Sequence, residues 1–199
     1  MLGSHNTLTY AAPYSVWARL VSFVWRCQSQ DIATQIARGA RAFDIRVAWH
    51  NGRWRGAHGI VTLDISPLEV LSYINTHCKG AYVRLILERG LDDDYRFREL
   101  CRTVQSFCQD LHFFGGNFKP DWRQIYRFDD PVALAAEKTL EQHVGSMKSW
   151  WGKICPRLWA ATHRNLPQWG GEPDTPVLFI DFISPCGYLH QIRKNDNKN

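Results

Sequence analysis

Apolar residues recur at helical spacing over Pro13 to Cys27 and over Asp31 to Arg38, and Gly39 stands where a helix C-cap would be. Arg41 to Ala48 reads as a strand, and Gly52 turns the chain into a second stretch, Arg53 to His58. A helix opens at Ser66-Pro67 and runs to about Cys78, with Ser66 as N-cap, Pro67 in the first turn and Gly80 at its end. Tyr82 to Glu88 is a near-continuous apolar run of strand length. Asp92-Asp93-Asp94 opens an amphipathic stretch to Leu111, which puts negative charge at a helix N-terminus, where the dipole favours it. Trp122 to Phe128, Leu158 to His163 and Val177 to Ile183 are further strand candidates, and Pro131 to about Lys148 is a further helix. Strands alternating with helices predict a parallel sheet with covering helices, open or closed into a barrel. With no internal repeat or long linker, the chain reads as a single domain over 1–192 followed by a polar tail from Arg193 to Asn199.

Composition narrows the class. A chain of 199 residues, 45% apolar and 22% charged, can bury a sizeable core, which excludes the disordered and fibrous classes. Its longest apolar runs, Ala81 to Leu87 and Pro176 to Ile183, fall far short of the roughly 18 residues of a membrane span. Met1 to Asn6 lacks the basic region and apolar stretch of a secretory signal, so the default expectation is a cytoplasmic location. Cys27, Cys78, Cys101, Cys108, Cys155 and Cys186 form no C-x-x-C pair and are read as reduced and mostly buried rather than as a zinc site or disulfide framework. A net charge of +5 and a pI near 9.0 suit an anionic partner, whether phospholipid surface, phosphate ester or nucleic acid, without choosing among them.

In a parallel barrel the site gathers at the C-terminal ends of the strands. Asp44 and Arg46 lie two apart on one strand and share a face, Glu88 ends an apolar strand, and Asp181 interrupts an apolar run with a charge. A carboxylate at the end of a buried strand is costly unless it is paired or hydrogen-bonded. By contrast, His50, His77, His112, His143 and His190 are read as ordinary surface or core histidines, and Arg53/Arg55 and Arg96/Arg98 as solvated faces. Trp150-Trp151 is read as helix packing, with a membrane or substrate contact as the alternative.

Four segments carry a resemblance. Gly3-Ser4-His5-Asn6-Thr7, Phe43-Asp44-Ile45-Arg46 after Gly39-Ala40-Arg41, His58-Gly59, and Phe179-Ile180-Asp181-Phe182 resemble, in order and spacing, the signatures of the catalytic X domain of the phosphatidylinositol-specific phospholipase C superfamily. The likeness is densest from Gly3 to about Gly90. It implies a TIM-barrel-like (β/α) fold, small, and incomplete or lacking its first strand, since barrels usually take about 250 residues and only Met1 and Leu2 precede Gly3. It also implies a phosphodiesterase acting on a phosphate diester beside a free hydroxyl, with inositol phospholipid as the usual substrate. His5 would be the general base and His58 the general acid, with a cyclic phosphate as the product that water later opens. Asp181 would hold the His5 ring, Arg46 would face the phosphate, and Asp44 would orient Arg46 or receive a substrate hydroxyl. Asn6, Glu88, Arg127 and His163 are the substrate-binding candidates.

Departures from the family pattern bear on the metal. Calcium-dependent members place an asparagine after the first histidine, two acidic residues on the second strand and a glutamate on the next; Asn6, Asp44 and Glu88 match three of these positions and Arg46 takes the fourth. The bacterial calcium-independent members carry an arginine there and a lysine where Glu88 stands. A guanidinium competes with calcium for space and charge, so no cofactor is expected, with calcium on Asn6, Asp44 and Glu88 as the alternative. Partner expectations are a phospholipid or other phosphodiester substrate, peripheral membrane contact as an option, and no nucleic acid. The competing functions are a glycerophosphodiester or sphingolipid phosphodiesterase, disfavoured because Asp44-Ile45-Arg46 stands where those enzymes place Glu-x-Asp, and a headgroup-binding module without turnover.

Overall fold

The structure, a computed structural model, describes residues 1–90, 94–138, 140–142 and 177–183. The strands are β1 (Leu2–Ser4), β2 (Ala42–His50), β3 (Arg53–His58), β4 (Val61–Leu63), β5 (Tyr82–Leu87), β6 (His112–Phe118), β7 (Arg123–Gln124), β8 (Glu141–Gln142) and β9 (Leu178–Ile180). The helices are α1 (Val16–Leu20), α2 (Ser22–Trp25), α3 (Ile32–Ala37), α4 (Pro67–His77), α5 (Asp94–Phe107) and α6 (Pro131–Lys138), with a 3₁₀ turn over Thr7–Tyr10. The sheet runs β7-β6-β5-β2-β1-β9-β8, and β3 and β4 branch from β2 as antiparallel strands. Every pairing from β6 through β5, β2, β1 and β9 to β8 is parallel. Among the described residues the sheet is open between β7 and β8, so the fold is an incomplete TIM-barrel-like α/β sheet. Its first strand is present, three residues long, held between β2 and β9.

Strand alternation decides what faces what. Pairing of Gly3 with Ala42, Asp44 with Arg84 and Gly3 with Phe179 puts Gly3, Ala42, Asp44, Arg46, Arg84 and Phe179 on one face, the interior of the curved sheet. Phe43, Ile45, Val47, Val83, Leu85 and Leu87 face outward and form the main core with α4 and α5, all essentially fully buried. At roughly 25 cal/mol per Å² of apolar surface, burial of this layer drives the fold and leaves the inner face free to carry polar groups.

Caps mark the predicted helices where the sequence places them. The Asp31 carboxylate accepts from the Thr34 amide at 2.8 Å, and Ser66 Oγ accepts from the Glu69 amide at 3.4 Å. Gly39 and Gly80 follow α3 and α4 with φ of 93° and 72°, the left-handed conformation of helix ends. Cys27, Cys78, Cys101 and Cys108 are free and buried.

Three expectations change. Pro13 to Cys27 is two short helices rather than one, broken at Val21. Trp122 to Phe128 contributes only β7, because the strand that continues the parallel sheet is β6, which the sequence reading passed over. Its centre is Gly115-Gly116, both at positive φ, where the register with β5 shifts, so no strand-like alternation survives in the sequence. The helix from Pro131 stops at Lys138, and Glu141–Gln142 is extended. Leu158 to His163, Trp150-Trp151, Cys155 and Cys186 lie outside the described residues.

Candidate active site

Four parallel strands each end immediately before an ionisable residue: β1 before His5, β5 before Glu88, β6 before Lys119 and β9 before Asp181. β2 runs further and lays Asp44 and Arg46 between them. His58 arrives differently, at the end of β3, after an Asn51-Gly52 turn whose positive φ angles of 48° and 78° suit a tight hairpin.

The hydrogen bonds fix both imidazoles. His5 Nδ1 lies 2.7 Å from Asp181 Oδ1, and a carboxylate only accepts, so Nδ1 carries the hydrogen. Its Nε2 then accepts from Arg46 Nη2 at 3.0 Å. His58 Nδ1 donates to the carbonyl of Trp25 at 2.5 Å, which leaves the Nε2 lone pair facing inward in the neutral ring. The side-chain nitrogen of Asn6 lies 3.3 Å from His5 Nε2 and 3.1 Å from His58 Nε2, so the two ring nitrogens are no farther apart than these contacts laid end to end. Asn6 itself holds a left-handed φ of 44°, and its Oδ1 is buried without a hydrogen-bond partner.

Asp44 and Glu88 are committed to cations. Asp44 accepts from Arg46 Nε at 3.1 Å and from Arg84 Nε at 3.0 Å, and from the Asn6 amide at 3.2 Å. Glu88 accepts from Arg46 Nη1 at 3.4 Å, from the Gly59 amide at 2.6 Å and from Lys119 Nζ. Burial alone would raise the Asp44 carboxyl, yet the guanidinium groups of Arg46 and Arg84 hold it well below the usual carboxylate range. Burial, followed by the charge of Arg46, pushes His58 down to about 4. Three cations, Arg46, Arg84 and Lys119, thus share Asp44 and Glu88, while a third carboxylate, Asp181, faces His5.

Asp181 is positioned by the chain around it. Gln28 donates from Nε2 to the carbonyls of His5 (3.1 Å) and Ile180 (2.8 Å), and its Oε1 accepts from the Ile183 amide at 3.2 Å. One buried side chain therefore ties the end of β1 to the end of β9. His5, Cys27 and Asp181 also form a group whose ligand atoms all lie within 4.8 Å of one another. Burial, then Asp181, raises the Cys27 thiol, and Asn6 donates to its sulfur at 3.4 Å, so we read the group as hydrogen-bonded rather than metal-binding.

Of the sequence candidates, His5, Asn6, Asp44, Arg46, His58, Glu88 and Asp181 come together. Arg127 does not. The Tyr126 amide bonds the Gly116 carbonyl and Phe128 stacks on Phe113, so this segment runs back toward the start of β6 and leaves Arg127 exposed, away from the strand ends. His163 lies outside the described residues. Arg84 and Lys119 were missed. Arg84 was legible on the rule that singled out Asp181, a charge inside an apolar run, whereas Lys119 was hidden with the unrecognised β6.

The calcium alternative does not fit this donor set. Arg46 stands between Asp44 and Glu88 within 3.4 Å of each, and Lys119 and Arg84 take further carboxylate oxygens, so a divalent cation would have to displace fixed positive charge.

No protein-family model and no curated protein matches the chain. Among solved structures it is similar to the phosphatidylinositol-specific phospholipase C from Listeria monocytogenes, at 16% identity with a TM-score of 0.61, covering 98% of this chain and 92% of that one. A double mutant of the phosphatidylinositol-specific phospholipase C from S. aureus matches at 16% identity and a TM-score of 0.35, over 92% of this chain and 47% of that one, too distant to carry weight. The order of strands, the face they turn inward and the Listeria likeness together make this the incomplete barrel fold of the phosphatidylinositol-specific phospholipase C type.

Proposed function

We propose that the chain is a metal-independent phosphodiesterase that cleaves a phosphate diester beside a free hydroxyl, with inositol phospholipid as the substrate class. The observation that carries this reading is the pair of oppositely mounted imidazoles: each has its Nδ1–H fixed by an acceptor, and both Nε2 atoms turn toward one amide, that of Asn6. His5 Nε2 removes the proton of the neighbouring hydroxyl, whose oxygen attacks phosphorus. His58, protonated, gives its Nε2 hydrogen to the departing oxygen. A cyclic phosphate and an alcohol result, and water opens the ring with the two roles exchanged. Asp181 stabilises the His5 imidazolium, and Arg46, with Lys119 near it, supplies positive charge for the phosphoryl oxygens.

A neutral His58 is a poor acid, and its depressed pKa requires an explanation. A bound phosphodiester adds a negative charge beside the ring and so raises its proton affinity, which couples protonation to substrate binding.

Phosphorus NMR of the purified protein with phosphatidylinositol, with and without chelator, tests the reading. The expected result is a cyclic inositol phosphate at equal rates in both samples. Loss of product in chelator would overturn the metal-independent mechanism, and no product in either sample would leave a headgroup-binding module as the better reading.

A further inference from the structure

Among the site residues that come together, His58 alone is not delivered by a parallel strand. It ends β3, near the tip of the β3–β4 hairpin, an antiparallel arm that pairs with the sheet through β2. The base of this arm is well anchored: Leu63 is fully buried, the Tyr14 amide donates to the Thr62 carbonyl, and the Asp64 amide donates to the Ala12 carbonyl. The tip has no such cover. Gly59 and Ile60 make the two-residue turn between His58 and Val61, and both are exposed, Ile60 at 90%. Turns at the surface are the mobile parts of a fold, whereas a proton donor must stay within hydrogen-bond reach of its acceptor, so the turn has to be held from outside the arm.

Two consecutive residues after β5 hold it. Glu88 Oε1 accepts from the Gly59 amide at 2.6 Å, and Arg89 donates from Nη1 to the Ile60 carbonyl and from Nη2 to Thr62 Oγ1. The amide of the turn thus meets a carboxylate and its carbonyl a guanidinium, charge-assisted bonds roughly twice as strong as neutral ones. This grip is mounted on the parallel sheet. The Glu88 amide extends the β5–β2 ladder onto the Val47 carbonyl at 2.9 Å, and Gly90 lies so close to Phe118 of β6 that a Cβ there would come within 2.8 Å of the ring. The buried Glu88 carboxylate also accepts from Arg46 and Lys119, so it cannot swing away from the turn without stranding two cations. Its negative charge further opposes the effect of Arg46 on the His58 ring, which favours the protonated form.

We infer that Glu88 and Arg89 are positioning residues that clamp the Gly59–Ile60 turn and so aim His58 at the departing oxygen. The aim rests on the reaction proposed above, whereas the clamp does not, and two measurements separate them. Amide exchange followed by NMR reads the clamp without turnover. In the wild type Gly59 should exchange at least about tenfold more slowly than an unstructured amide; Glu88→Gln, which keeps an acceptor oxygen, should retain much of that protection, and Glu88→Ala should lose it. Rates read the aim. Inositol phosphodiesters with an alkyl and with a 4-nitrophenyl leaving group differ in their need for a proton donor, because nitrophenolate departs unprotonated. Arg89→Met, a change outside the histidine pair and its anion site, should lower kcat on the alkyl ester by about 10–100-fold with KM unchanged, and lower it far less on the nitrophenyl ester, with its circular dichroism spectrum intact. Equal losses on both esters, or full rates on both, would overturn the positioning role, and a wild-type Gly59 amide that exchanges freely would overturn the clamp. A wild type that turns over neither ester would refute the proposed reaction and with it the aim of His58, while Gly59 protection would still decide the clamp.

Discussion

In the proposed reaction two residues of one type do opposite work because their surroundings differ. His5 has a carboxylate behind it and a guanidinium in front, whereas His58 has a backbone carbonyl behind it and, after burial, the charge of Arg46 acting on it most strongly. In ¹⁵N-edited NMR the His58 ring of the free protein should titrate with a midpoint of about 4, and saturating inositol 1-phosphate should move that midpoint upward. A midpoint near the ordinary 6.5, unmoved by ligand, would show the ring to be solvated and remote from the anion site. The same shift makes stability fall with acid. A ring whose folded pKa is depressed takes up its proton more readily when unfolded, so its contribution is complete above pH 6.5 and is lost as pH falls toward 4. Asp181→Asn should lower kcat by about 10²–10⁴-fold with little change in KM, because it removes the partner of an imidazolium that forms only during reaction. A matching change in KM would mean that Asp181 binds substrate instead.

At the scale of elements, the legible parts were those where local chemistry and tertiary role agree. Ser66-Pro67, the Asp31 cap and the apolar run of β5 are written in neighbouring residues, and so are His5, His58 and Asp181 at strand ends and Asp44 and Arg46 within β2, because each has a recognisable flank. β6 was not legible, since His-Phe-Phe-Gly-Gly-Asn-Phe alternates in neither period and earns its place through a bulge. The break in α1–α2 was hidden for the opposite reason, an apolar periodicity that looks like one buried helix but faces outward. The bulge carries a sharp expectation: a Cβ on Gly116 would lie 2.0 Å from the Tyr126 carbonyl oxygen at a left-handed φ of 74°. Gly116→Ala should therefore destabilise the fold by about 2–4 kcal/mol in chemical denaturation, well beyond the roughly 1 kcal/mol of an ordinary glycine substitution, with lost activity following from the displaced end of β6 and Lys119. An unchanged midpoint would mean that the bulge does not exist in solution.

Across the whole molecule, the strand that carries His5 lies between β2 and β9, so the ends of the described chain meet in the middle of the sheet. The His5–Asp181 pair is separated by 176 residues, whereas Arg46, His58, Glu88 and Lys119 all fall within one continuous stretch. Contacts between distant parts of a chain bear the largest loop-closure cost and tend to form late. A nascent or refolding chain would thus build its arginine, lysine and acid half from the hairpin and β5–β6, and acquire its base only when β9 arrives to close over β1. In a refolding experiment, recovery of the proposed phosphodiesterase activity should lag the burial of the β2–β5–β6 core as read by tryptophan fluorescence, and coincident recovery would show that both ends dock at once. The proton acceptor of the proposed reaction would then be the last part of the machine to be assembled, and an incompletely folded chain would hold its anion site without being able to turn over what it binds.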